Sequence, residues 1–214
     1  MVVHFYDSLF MSEIRNLNAI ESMEKNYFDI EEYIQRVKPF HGHVAPGVLI
    51  GGFMVSLARS RMPEGVLYDA ISETPACLPD AIQLLTPCTV GNGWLKIINF
   101  GRFALSLYDK HHGNGVRVFL DPAKLEQWPE IKAWFLKLKS RKEQSHEDIL
   151  SEIKKAGVEI CGVRPVQIKP DFLKKRDKGK IGICPSCAEA YPLNDGRICI
   201  ACQGNSPYVI SDAP

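Results

Sequence analysis

The spacing Cys184-x2-Cys187-x11-Cys199-x2-Cys202 is the tightest constraint on what this 214-residue chain can fold into. Two thiols separated by two residues sit on one turn. Two such turns bring four sulfurs to one ion in the tetrahedral set that structural zinc prefers. Asn194-Asp195-Gly196 between the pairs reads as a hairpin turn, and Gly182 and Gly204 flank the two knuckles. A stretch this short cannot bury a core of its own, so the metal supplies much of its folding free energy. A closed set of four thiolates is structural rather than catalytic. The expectation is a four-cysteine Zn2+ finger at residues 179–207, a basic linker at 169–178 and a core domain at 1–168.

Between Arg164 and Lys180 stand seven Lys or Arg against two Asp, the pattern of a solvated linker. That charge admits nucleic acid as a partner. The net charge of +1 supplies no attracting field, however, and the finger offers only Tyr191 and Tyr208 for stacking on bases. Contact with protein, or locking of a homodimer, is the favoured role. Cys77, Cys88 and Cys161 complete an odd total of seven cysteines, which argues against a disulfide framework. The start Met1-Val2-Val3-His4-Phe5 lacks the basic flank and long apolar run of an export signal, and no apolar run approaches the roughly 18 residues of a membrane span. A cytoplasmic protein with no membrane partner is expected.

In the core, apolar residues recur at helical spacing over 8–37, with a break at Asn26 to Asp29, Asp29 as a second N-cap and Pro39 as a stop. Residues 44–61 read as a buried helix opened by Pro46, on which Gly47, Gly51 and Gly52 leave a bare face for another backbone or a ligand. A strand at 66–73 and a short helix capped by Asp80 come next. Strands at 94–100, 103–108 and 116–120 then form an antiparallel meander. Asp121-Pro122 and Pro129 open helices, the second running to about Lys139. Ser145-x-x-Asp148 is a capping-box pattern before Ile149, Gly157 is a stop, and residues 158–168 return to the sheet with Cys161 as a small apolar residue. The fold class is α+β, helices packed on a mainly antiparallel sheet.

Chemistry concentrates at residues 40–93. His41 and His43 lie two apart before a helix start, Cys77 and Asp80 flank Pro79 at a second one, and Cys88 follows that helix. A helix N-terminus lowers a thiol pKa, so Cys77 is read as a thiolate able to ligate metal or act as a nucleophile. Histidine with cysteine is a set that transition metals favour. Glu73 and Asp80 stand beside the cysteine as groups able to orient a ligand, with Asn92 in the Gly91-Asn92-Gly93 turn as a further binding candidate.

The runs FHGHVAPG, ETPACLPDAIQLLTPCTVGNG and GNGVRVFL resemble the FmdE-like family, which is associated with formylmethanofuran dehydrogenase. That family reads HGHxCPG, E(x3)CxxDAxQ and GCTxGxG. The matching positions are His41, Gly42, His43, Pro46 and Gly47; Glu73, Cys77, Asp80, Ala81 and Gln83; Cys88, Thr89, Gly91 and Gly93. Ala45 stands where the family has Cys, and Pro87 where it has Gly. The resemblance implies a metal-binding α+β protein, commonly dimeric, with a treble-clef finger. It also implies a methanogenesis-related association with the molybdenum or tungsten enzyme. The functional expectation is a metal-binding accessory protein of C1 or redox metabolism, with a second transition metal in the core held by His41, His43, Cys77, Asp80 or Cys88. The alternatives are a metal-sensing regulator acting through the finger and a Cys-dependent enzyme.

Overall fold

A computed structural model describes residues 28–174, 177 and 179–208, and the chain divides into two compact units, Met1–Lys169 and Pro170–Pro214. Residues 8–27 of the helix expected at 8–37 lie outside the described residues.

Helix α1 (Ile30–His41) starts where expected, because the Asp29 carboxylate accepts the Glu31 and Glu32 N–H groups at 2.9 and 3.0 Å. Pro39 does not stop it. The proline sits in the last turn, and the helix runs two residues further to His41 before the cap Gly42, whose φ of 89° suits glycine. Helix α2 (Pro46–Ser60) is buried along most of its length, as its apolar run requires. Its bare face is used by neighbours: a Cβ on Gly51 would stand 2.7 Å from the Cβ of Ala81, so α3 (Leu78–Leu85) packs against glycine backbone.

Five strands form one sheet in the order β2-β1-β3-β4-β5: β1 (Tyr68–Ser72), β2 (Leu95–Ile97), β3 (Ala104–Asp109), β4 (Asn114–Leu120) and β5 (Cys161–Gln167). Strands β1, β3, β4 and β5 pair antiparallel, and residues 158–168 do return to this sheet as β5. The meander expectation fails at β2, which pairs parallel to β1 in the register Ala70 with Leu95. Helix α3 is the crossover between these two strands, so β1-α3-β2 is a βαβ unit set against an antiparallel remainder. Helices α4 (Pro129–Phe135) and α5 (His146–Ala156) complete this unit. Helix α4 ends short of Lys139, and Asp121-Pro122 opens only a 3-10 turn, Pro122–Lys124. Helix α5 begins as expected, with Ser145 Oγ accepting the Asp148 N–H at 3.2 Å, and Gly157 follows its end.

One core joins the helices to one sheet face through Ala70, Leu105, Leu107, Val116, Val118, Leu120 and Cys161, which pack with Leu49, Ile50, Met54 and Ile82. Side chains alternate along a strand, so Asp69, Ile71, Ser106, Tyr108, Arg117, Phe119 and Arg164 belong to the other face.

The second unit holds the short helix α6 (Pro170–Leu173) and strands β6 (Ile181–Ile183) and β7 (Ala190–Pro192), which pair antiparallel. The turn joining these strands contains Cys184 and Cys187. Asn194-Asp195-Gly196 is therefore not the hairpin turn; it closes a 3-10 turn, Leu193–Asp195, beyond β7.

Candidate functional site

Three helix ends meet at the core site. Cys77 is the hub. Its carbonyl accepts the Asp80 and Ala81 N–H groups at 3.2 Å each, so it is the N-cap of α3, three residues before the expected cap, Asp80. Its φ of 58° is a left-handed conformation that a non-glycine residue adopts at a cost. Its sulfur meanwhile lies at the start of α2. The N-cap there, Ala45, has no capping side chain, and the Val48 N–H faces the Cys77 sulfur closely enough to favour its ionised form. Gly47 makes room: a Cβ there would lie 2.9 Å from Cys77 Sγ.

Freed from capping, the Asp80 carboxylate turns to the end of α1, where Oδ2 stands 2.6 Å from His41 Nδ1. In a neutral ring this contact to a carboxylate places the proton on Nδ1 and leaves the Nε2 lone pair for a ligand. The His43 ring lies 5.4 Å from that of His41, centroid to centroid, and is exposed. Tyr33, which sequence reasoning passed over, lies behind the site. It is buried, its hydroxyl donates to the Val48 carbonyl at 2.8 Å, and burial with the nearby Asp80 and Cys77 pushes its pKa up. The signal was present: Tyr33, Val37 and His41 recur every four residues on one helix stripe.

The thiolate expectation for Cys77 is not met by the protein alone. Burial, followed by the Asp80 charge, raises its pKa, and the Val48 N–H lowers it by less. A cation placed before the sulfur would reverse that balance.

Cys88 is not part of this group. It lies beyond the far end of α3, whose eight residues span about 12 Å. Its buried thiol donates to the Tyr68 carbonyl at 3.4 Å, near Asp69, Tyr108 and Lys110. Glu73 is also committed elsewhere: Arg117 Nε and Nη2 donate to its two oxygens at 2.6 and 2.9 Å, and Arg102 Nε stands 2.7 Å from Oε2. Asn92 organises its own turn, its oxygen accepting the Thr89 and Trp94 N–H groups and its amide donating to the Pro87 carbonyl. Of the candidate core residues, His41, Asp80, His43 and Cys77 gather around these helix ends, while Cys88, Glu73 and Asn92 are engaged elsewhere.

Burial pushes the Cys88 thiol up to about 11 and the Cys161 thiol up to about 12. At pH 8 roughly one Cys88 thiol in a thousand is ionised. Alkylation of the native zinc-loaded protein is therefore expected to reach half-buried Cys77 well before either of these. Peptide mapping that found Cys88 or Cys161 modified first would refute this ordering.

The finger is geometrically different. Among the described residues, Cys184, Cys187, Cys199 and Cys202 are the only group of three or more His, Cys, Asp or Glu whose ligand atoms all lie within 4.8 Å of one another. The Cys187 and Cys199 sulfurs are 3.7 Å apart, against about 3.8 Å across the edge of a tetrahedron with Zn–S bonds of about 2.3 Å. The Cys199 N–H donates to Cys184 Sγ at 3.4 Å and is the main cause of a lowered pKa there. The donor set fits a structural Zn2+.

The family model described as "FmdE, Molybdenum formylmethanofuran dehydrogenase operon" matches residues 40–168, and the FmdE treble clef zinc finger model matches residues 175–209. A crystal structure of a tungsten formylmethanofuran dehydrogenase FmdE-like protein from Syntrophus aciditrophicus superposes with a TM-score of 0.79 at 58% identity, covering 85% of this chain and 96% of that one. A probable S-adenosyl-L-methionine-binding protein of Archaeoglobus fulgidus is 30% identical over 205 residues, covering 82% of this chain and 53% of that protein, so the chain spans about half the length of this relative. No helix among the described residues is long and apolar enough to cross a membrane. With the FmdE model covering most of the core and its companion covering the four-cysteine module, the chain belongs to the FmdE family.

Proposed function

We propose that the protein is a metal-binding accessory protein of formylmethanofuran dehydrogenase-type C1 or redox metabolism, in which His41, His43 and Cys77 receive a transition metal. The observation that carries the reading is the 2.6 Å contact between His41 and Asp80, which are 39 residues apart in the chain. A carboxylate on one ring nitrogen raises the basicity of the other and fixes the ring, as around metal-bound histidines. The Cys77 sulfur would enter as thiolate, its proton displaced by the cation. Unlike the finger cysteines, no three of His41, His43, Cys77 and Asp80 place ligand atoms within 4.8 Å of one another, so the set would have to draw together around the ion. A nucleophilic role for Cys77 without metal is disfavoured by its raised pKa. The family's association with the dehydrogenase operon supports components of that molybdenum or tungsten enzyme as partners.

Titration of Co2+ into the intact protein with zinc already in the finger is expected to fill one further site. Asp80→Asn, which keeps the shape and removes the charge, should weaken that step by roughly 10–100-fold. Absence of a second metal equivalent in the wild type would end this reading. We further propose a homodimer, because a small module without a core gains by packing on a partner chain. Light scattering on the zinc-loaded protein should give twice the 24.0 kDa chain mass, and a monomer at micromolar concentration would exclude it.

A further inference from the structure

On the sheet face away from the helices, Arg117 of β4 and Arg164 of β5 are direct cross-strand partners. Like charges placed opposite each other in an antiparallel pair are destabilising. Both guanidinium carbons stand 5.1 Å from the centroid of the single Phe119 ring, so the two cations share one aromatic support. A ring quadrupole steadies a cation without neutralising it. Arg102 joins the same network, reaching Glu73 and lying 5.0 Å from the Phe100 ring.

Two of these arginines, Arg117 and Arg102, share one carboxylate, and Arg164 has none among the described residues. Glu73 Oε1 takes Arg117 Nε, while Oε2 takes both Arg117 Nη2 and Arg102 Nε. The two terminal amino groups of Arg102, and the whole donor fork of Arg164, have no acceptor among the described residues. Both side chains are exposed, Arg102 at 59%. The arrangement is a cluster with excess positive charge, held in place by two phenyl rings and a buried acid, with its free donors facing outward. Planar forks of this kind match the paired oxygens of carboxylate and phosphoryl groups.

We infer that Arg102 and Arg164, braced by Arg117, Phe100 and Phe119, form a binding site for an oxyanion, a carboxylate or phosphoryl group carried by a small ligand. The site lies outside the His41–Cys77 region and stands whether or not the core holds metal. An anion there would offset the Arg117–Arg164 repulsion that Glu73 leaves uncompensated.

Calorimetric titration of the zinc-loaded full chain tests this, with inorganic phosphate as one probe, acetate as the other and sodium chloride at matched ionic strength as the control. Saturable one-to-one binding of phosphate or acetate is expected, and whichever binds more tightly identifies the group. Arg164→Ala should weaken binding at least about tenfold, and Arg164→Lys, which keeps the charge but loses the fork, should restore only part of it. Neither variant removes a partner of Glu73, so the fold is left intact. No saturable heat with either probe, equal heat from chloride, or unchanged affinity in Arg164→Ala would each overturn the inference.

Discussion

Stripping zinc from the finger, or replacing Cys187 with Ser, is expected to unfold residues 179–208 while the core keeps a cooperative thermal transition of its own. Among the described residues of the module, only Cys184 and Tyr191 are buried, and Ile181, Ile183, Leu193 and Ile200 are 45–66% exposed. Two three-residue strands and a handful of turn hydrogen bonds cannot offset the entropy of ordering some thirty residues. Ligation must supply the difference, and apparent binding free energies at comparable structural sites are about 10–16 kcal/mol at neutral pH. Four thiols lose protons on binding, so metal affinity falls as pH falls. The apo form should therefore appear on acidification as well as on chelation. Amide resonances of the module monitor the outcome. Dispersed signals from residues 181–202 that survive complete metal removal would show that the sulfurs are not what folds it.

Arg117→Met is expected to produce the largest loss of stability of any single change on the outer sheet face, roughly 3 kcal/mol or more. The substitution keeps most of the stem but strands Glu73, whose side chain is 6% exposed, with Arg102 as its remaining cation. A midpoint lowered by roughly 6–12 °C follows for a core of this size. The effect should depend on pH in a definite direction. Hydrogen bonds from Arg117, ahead of its charge and that of Arg102, hold the Glu73 pKa below its ordinary 4.5 in the folded protein. A group depressed on folding contributes stability that is complete above its unfolded value and is lost as pH falls through its folded value. The gap between wild type and variant should thus be full at pH 7 and narrow below pH 4.5, as protonated Glu73 ceases to need a cation. Urea melts at pH 7 and pH 4 test this. A gap of constant size would assign the loss to packing.

Much of this fold was readable from local chemistry. Asp29 and Ser145 announced their helices because a capping side chain bonds within three residues, a distance the sequence displays directly. The glycines of α2 announced a close packing face because the absence of a side chain has few other uses. The start of α3 was hidden, since its cap is a backbone carbonyl at Cys77 and Asp80 has another task. The direction of β2 was misread, although strand, helix and strand alternate at 68–97. Pairing direction leaves no mark in strand composition, and only the intervening α3 could reveal a crossover.

The candidate site was legible as a neighbourhood, and the fold separates some of the residues that the sequence sets side by side. Cys88 lies eleven residues from Cys77, yet a helix of eight residues carries it to the other end of that element. Glu73 lies four residues from Cys77, yet its carboxylate belongs to the opposite sheet face, where Arg117 awaits it. Sequence proximity misled where a rigid element intervened. His41 and Asp80, far apart in the chain, share one hydrogen bond because α1 and α3 both pack on the glycine-marked helix between them.

One residue, Cys77, serves the beginnings of two helices: its carbonyl accepts the first amides of α3, and its sulfur lies against the start of α2. Whatever happens to that atom, whether capture of a cation, oxidation or a covalent adduct, is registered by both rods at once. The chain has placed its most reactive candidate at a mechanical junction, so chemistry at Cys77 and the relative setting of α2 and α3 are one variable.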